Sequence, residues 1–116
     1  MKLVLATFFF ISNLSIFGQS DLTFVSQTDY TSLHNTGLND VWGYVDEQGN
    51  EYAIVGTEDG TSILNVTNPV NPFEVFWVPG ENSIWRDPSV FSDYAYISTE
   101  AEEGLTIIDM SPLPES

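Results

Sequence analysis

Two stretches of this chain repeat the same order of residue types, and that repeat limits the fold more than any other feature. Trp42 and Trp85 stand 43 residues apart. Tyr52-Ala53-Ile54-Val55 starts ten residues after the first, and Tyr94-Ala95-Tyr96-Ile97 starts nine after the second. Gly56-Thr57-Glu58-Asp59-Gly60 is then answered by Ser98-Thr99-Glu100-Ala101-Glu102-Glu103-Gly104, two residues longer. Ser62-Ile63-Leu64-Asn65-Val66-Thr67 matches Thr106-Ile107-Ile108-Asp109-Met110-Ser111, and a proline follows each run, Pro69 and Pro112. Self-similarity at this period is the signature of stacked supersecondary units rather than of one irregular domain.

Each copy reads as short strands. Residues 52–56 and 94–98 are runs of β-formers bounded by acidic and glycine turns. Residues 62–66 and 105–110 are richer in Ile, Leu and Val than one-faced strands would be, which predicts that both of their faces are covered. Residues 73–78 predict an outer strand of the first copy, closed by Pro79-Gly80. Asp46-Glu47-Gln48-Gly49-Asn50 predicts a hairpin turn, which makes residues 42–45 a further strand. No stretch beyond residue 20 carries apolar residues at helical spacing over three turns. Four short strands about every 43 residues match the roughly 40–50-residue blade of a β-propeller. The expectation is an all-β chain of about two four-stranded blades, with units near 41–83 and 84–116, forming an incomplete propeller. Residues 22–27 are expected as an outer strand ahead of Trp42. The chain reaches Ser116 about where the corresponding strand of the second unit is due, and a truncated product or assembly with another chain is expected.

The N-terminus carries a different message. Met1-Lys2 is followed by 15 residues without charge, then by Gly18-Gln19-Ser20. This is the order of a secretory signal peptide. The apolar run is short for a membrane span, which needs roughly 20 residues. Residues 1–20 are therefore expected as a signal peptide, with the mature chain starting between Gln19 and Asp21 and located outside the cell or on its surface.

Removing residues 1–20 takes away Lys2 and leaves Arg86 as the single Lys or Arg against all 17 Asp and Glu residues. Such a surface repels phosphate, which excludes nucleic acid and anionic membranes as natural partners. There is no cysteine, so stability must come from apolar burial, from calcium, or from membership of something larger. With Phe, Tyr and Trp at 14% of the chain, apolar burial is well supplied and disorder is not expected.

Few residues stand out as chemistry. Asn65 and Asp109 occupy equivalent positions before a Thr or Ser and a proline, where a short polar side chain caps the strand by accepting from the backbone two residues on. Asp46-x-Gln48-x-Asn50 has the spacing of a calcium loop but lacks its glycine and distal glutamate, so calcium is conceivable without a motif to support it. No cofactor is expected. His34, the only histidine, falls in a polar stretch that predicts a loop, and Asn65-Val66-Thr67 is formally a glycosylation sequon. No nucleophile elbow, metal-spaced His/Cys set or phosphate loop occurs. Arg86 is expected to tie Asp87 or another carboxylate into the structure and to stack on an aromatic ring, the functional alternative being an anchor for an anionic ligand.

Leu105-Thr106-Ile107-Ile108-Asp109 resembles the motif that names the LVIVD repeat. Asn39-Asp40-Val41-Trp42-Gly43-Tyr44, Asn65-Val66-Thr67-Asn68-Pro69 and Trp85-Arg86-Asp87 add a resemblance to the choice-of-anchor B family of exported bacterial proteins. The resemblance covers residues 22–113, and departs from the pattern at Asn65, where the family has Asp, and at Pro88. It implies an extracellular, propeller-like domain without a defined activity. Asp40, Trp42, Trp85, Arg86 and Asp87 are the motif positions singled out for a binding or structural role. The functional expectation is an exported, non-catalytic scaffold that binds protein or glycan, completed by further blades of a longer chain or by self-association. The alternative is the N-terminal fragment of a secreted hydrolase whose catalytic part lies elsewhere.

Overall fold

A computed structural model describes residues 22–115. The expected signal peptide lies outside the described residues. The described chain is all-β apart from one short helical turn, α1 (Tyr30–Leu33). Seven strands follow: β1 (Leu38–Val45), β2 (Glu51–Thr57), β3 (Gly60–Asn65), β4 (Phe73–Pro79), β5 (Arg86–Phe91), β6 (Tyr94–Thr99) and β7 (Leu105–Asp109). β1 to β4 form one antiparallel sheet in sequence order, and β5 to β7 form a second.

The local chemistry accounts for the turns. Asp46 closes the β1–β2 hairpin: its Oδ1 accepts from the backbone N–H groups of Gln48 and Asn50, and its Oδ2 accepts from the Asn50 amide and the Tyr52 hydroxyl. Gly49 supplies the positive φ, +85°, that such a turn needs. Asn65 Oδ1 accepts from the Thr67 N–H and Asp109 Oδ1 from the Ser111 N–H, both at 3.0 Å. The two strand-ending roles expected from the repeat are thus the same hydrogen bond made twice.

The sheets stack face to face. Tyr44, Tyr52, Ile54 and Ile63 of the first sheet pack on Ala95 and Ile97 of the second and on Met110, with Val75, Val90 and Ile108 at the margin. The opposite face of the first sheet, with Val55 and Leu64, is covered by Tyr30. β3 is accordingly buried on both sides, as its composition predicts.

The structure corrects three expectations. Residues 22–29 pair with no strand; the segment instead leads into α1, capped by Asp29, whose carboxylate accepts from the Thr31 N–H and the Ser32 hydroxyl. β7 is not covered on both faces, because Leu105 and Ile107 are more than half exposed on the outer side of the second sheet. Trp42 and Trp85 are also not structural equivalents. Trp42 lies within β1 opposite Ile54, whereas Trp85 precedes β5. The β1–β2 hairpin is longer than the β5–β6 hairpin, and a bulge between Leu38 and Val41 adds a further residue to β1. Trp42 therefore corresponds to Ser89, and Leu38 and Arg86, each opposite the terminal threonine of the next strand, are counterparts.

Candidate functional site

Arg86 is the most deeply buried charged side chain among the described residues. It opens β5, is 1% exposed, and lies at the seam of the two sheets. Its Nε donates to the Thr57 carbonyl at the end of β2, one terminal nitrogen donates to the Glu103 carboxylate and the other to the Glu81 carbonyl. Glu103 Oε2 in turn accepts from the Glu81 N–H, so the ion pair clamps the β4–β5 connection to the β6–β7 turn. Partial burial raises the Glu103 carboxyl, but the Arg86 hydrogen bond, the Glu81 N–H and the Arg86 charge outweigh it and hold the group below its ordinary value. Two glycines make room. A β-carbon on Gly56 would collide with the Arg86 carbonyl, and one on Gly80 would lie 2.7 Å from both Arg86 Nη1 and Glu103 Oε1.

Of the partners expected for this arginine, Asp87 or another carboxylate, the structure gives another carboxylate, Glu103, and sets Asp87 aside for a simple reason. Successive side chains of a strand point to opposite faces, so Arg86 enters the seam while Asp87 faces out. No aromatic ring stacks on the guanidinium among the described residues. Glu103 is 17 residues away across a hairpin, and its pairing is visible only once β5 is set beside β6.

Asp87 and Trp85 instead line a shallow groove of about 220 Å³ with Ser98, Thr99 and Glu100, at one end of the outer face of the second sheet. Asp40 and Trp42 belong to β1 of the first sheet, both exposed, and neither lines this groove. The structure therefore brings together two of the five singled-out residues, buries a third behind them, and leaves two apart. Ser98, Thr99 and Glu100 carry no motif of their own; their only sequence signal is their repeat equivalence to Gly56, Thr57 and Glu58.

The one other polar cluster with chemical interest is His34, Glu74 and Ser62. The imidazole stacks on Trp77 with ring centroids 3.7 Å apart, and its Nε2 lies 2.8 Å from Glu74 Oε2. Ser62 donates its hydroxyl to the same carboxylate oxygen and is fully buried. The serine thus points at the acid and not at the imidazole, which is not the arrangement of an activated nucleophile. The cluster fastens α1, whose C-terminal residue cap is His34, onto the first sheet. Among the described residues no group of three or more His, Cys, Asp or Glu side chains is placed to hold a metal.

The open face beyond the groove is apolar. Phe91, Leu105 and Ile107 are 76%, 57% and 56% exposed, and Tyr94 and Tyr96 lie between them. Pairing fixes what these residues are in the repeat. Tyr44 stands opposite Tyr52 and Ile54 opposite Ile63 in the first sheet; Phe91 stands opposite Tyr94 and Tyr96 opposite Ile107 in the second. The open face is therefore the counterpart of the face of the first sheet that the second sheet buries. Comparison with known protein families, with curated proteins and with solved structures finds no match.

Proposed function

We propose that this chain is an exported, non-catalytic recognition scaffold built of propeller-type blades, of the kind its resemblance to the LVIVD and choice-of-anchor B proteins implies. The two sheets are read as consecutive blades, the first capped by residues 22–37 and the second ready to receive polypeptide on its outer face. One observation carries this reading: the core positions Tyr44, Tyr52, Ile54 and Ile63 recur as Phe91, Tyr94, Tyr96 and Ile107 on a face that nothing among the described residues covers. Apolar, aromatic-rich faces exposed on this scale mark interaction sites. The acidic surface suits a soluble extracellular protein and turns away nucleic acid and anionic lipid.

Expression of the whole reading frame in a secreting bacterial host tests it. The protein is expected in the medium with its N-terminus between Gln19 and Asp21, and its sedimentation is expected to show concentration-dependent association. The Phe91→Ser/Ile107→Ser double variant should be exported equally and remain monomeric. An intact Met1 on cytoplasmic protein, or a wild type that stays monomeric at every concentration, contradicts the reading.

A further inference from the structure

We propose that the groove lined by Trp85, Asp87, Ser98, Thr99 and Glu100 seats an arginine side chain, presented by a partner polypeptide that packs on the second sheet as a further unit of this repeat. The inference rests on the reading of that face as a docking surface and adds the chemistry that selects the partner.

In the first sheet, the equivalent place is occupied: Arg86 of the following sheet reaches the Thr57 carbonyl, beside Gly56. Register makes Thr99 the counterpart of Thr57 and Ser98 of Gly56, and the bulge sets Asn39 and Asp40 together where Asp87 stands. Asn39 itself marks that seat, since its amide donates to the carbonyls of Thr57 and Ser83. The groove is therefore the open repeat of the seat that Arg86 fills one sheet earlier.

Where the filled seat has the neutral Asn39, the open one has Asp87, with Glu100 beside it and the Trp85 ring at its rim. Two carboxylates and an indole form a receptor for a guanidinium, which is planar, weakly hydrated and able to bond a carboxylate while lying on an aromatic face. The chain has no lysine and no second arginine beyond residue 20, so its own described residues supply no cation for this place.

One difference defines how the partner sits. Gly56 lets the Arg86 backbone come against β2, whereas Ser98 at the equivalent point carries a side chain. The partner's backbone must stand further off than β5 does from the first sheet, and a side chain as long as arginine's spans the added gap.

A synthetic peptide of residues 84–99, the β5–β6 hairpin sequence, is the probe, titrated calorimetrically into the full chain alongside its Arg86→Ala version. The arginine peptide is expected to bind about tenfold or more tightly than the alanine peptide, the effect of one charged contact of about 1.4 kcal/mol. The Asp87→Asn/Glu100→Gln variant of the full chain should lose the same factor, and high salt should weaken only the arginine peptide. Equal binding of the two peptides, or indifference to the groove variant, overturns the arginine seat while leaving the docking face intact. Binding that survives Ile107→Ser in the full chain overturns the docking face instead. If neither peptide binds, a unit of this repeat is not the occupant and the proposal falls.

Discussion

A β-carbon on Gly56 would run into the backbone carbonyl of Arg86, so no other residue fits at position 56 without a shift of the backbone. The obstacle is backbone rather than a flexible side chain, so accommodation requires the two sheets to move apart. Gly56→Ala is expected to cost about 2–4 kcal/mol, measured as a drop in the urea midpoint. Ser98→Gly, at the equivalent position of the second sheet, has nothing to relieve and should shift the midpoint only by the glycine backbone cost of about 0.5–1 kcal/mol.

Arg86 holds three acceptors from three different segments. Its truncation leaves two carbonyls and a partly buried carboxylate without their donor. Arg86→Ala should destabilise by about 2–4 kcal/mol, and Arg86→Lys should recover only part of it because an ammonium cannot span the three directions of the fork. Equal urea midpoints for wild type and Arg86→Ala would contradict a structural role.

The same pair sets an acid limit. The folded Glu103 carboxyl lies below its ordinary 4.5, so its contribution is present above that value and is lost as pH falls through the folded pKa. Stability should decline below pH 4.5, and Glu103→Gln should flatten that decline by removing the proton that couples to folding. Asp46 adds to the acid sensitivity at lower pH. Burial raises its carboxyl, but bonds from Asn50, Tyr52 and Gln48 prevail and hold it below 3.8. A Glu103→Gln melting curve as acid-sensitive as wild type would dismiss the Glu103 contribution.

At the alkaline end two phenols behave alike. Burial first, then the hydrogen bond to Asp93 and nearby carboxylates, pushes Tyr44 up to about 12. Burial and the bond to Asp46 push Tyr52 up to about 12. Because the unfolded phenols ionise near 10, the stability these groups confer is intact below pH 10 and is lost as pH rises toward 12. Ultraviolet titration should show these two tyrosines ionising last, together with unfolding, and Asp93→Asn should advance the Tyr44 step.

Much of this architecture was legible in order and little of it in register. The Asp46 turn and the Asn65 and Asp109 strand ends are local hydrogen bonds, made within four residues, so spacing alone reveals them. The pairing of Trp42 with Trp85 misled because the first hairpin is longer than the second: Tyr44 pairs with Tyr52, eight residues on, whereas Phe91 pairs with Tyr94, three residues on, a difference that residue identity cannot show. Residues 22–27 look like a strand by composition, yet the face they would extend is already served by Tyr30 and α1. The partner of Arg86 and the role of Thr99 depend on which strands lie side by side, a tertiary fact that no window of sequence contains.

Among the described residues, the second sheet repeats the core face of the first and leaves it open. Ile63 and Ile107 are its matched pair, one 2% and the other 56% exposed. Urea unfolding of Ile63→Thr and Ile107→Thr in the same full chain separates the two environments directly. Ile63→Thr is expected to lose about 2–4 kcal/mol, because it removes buried apolar contact and buries a hydroxyl, and Ile107→Thr to stay within about 0.5 kcal/mol of wild type. Equal losses at the two positions would mean that the outer face is covered in the folded protein, and would contradict the account.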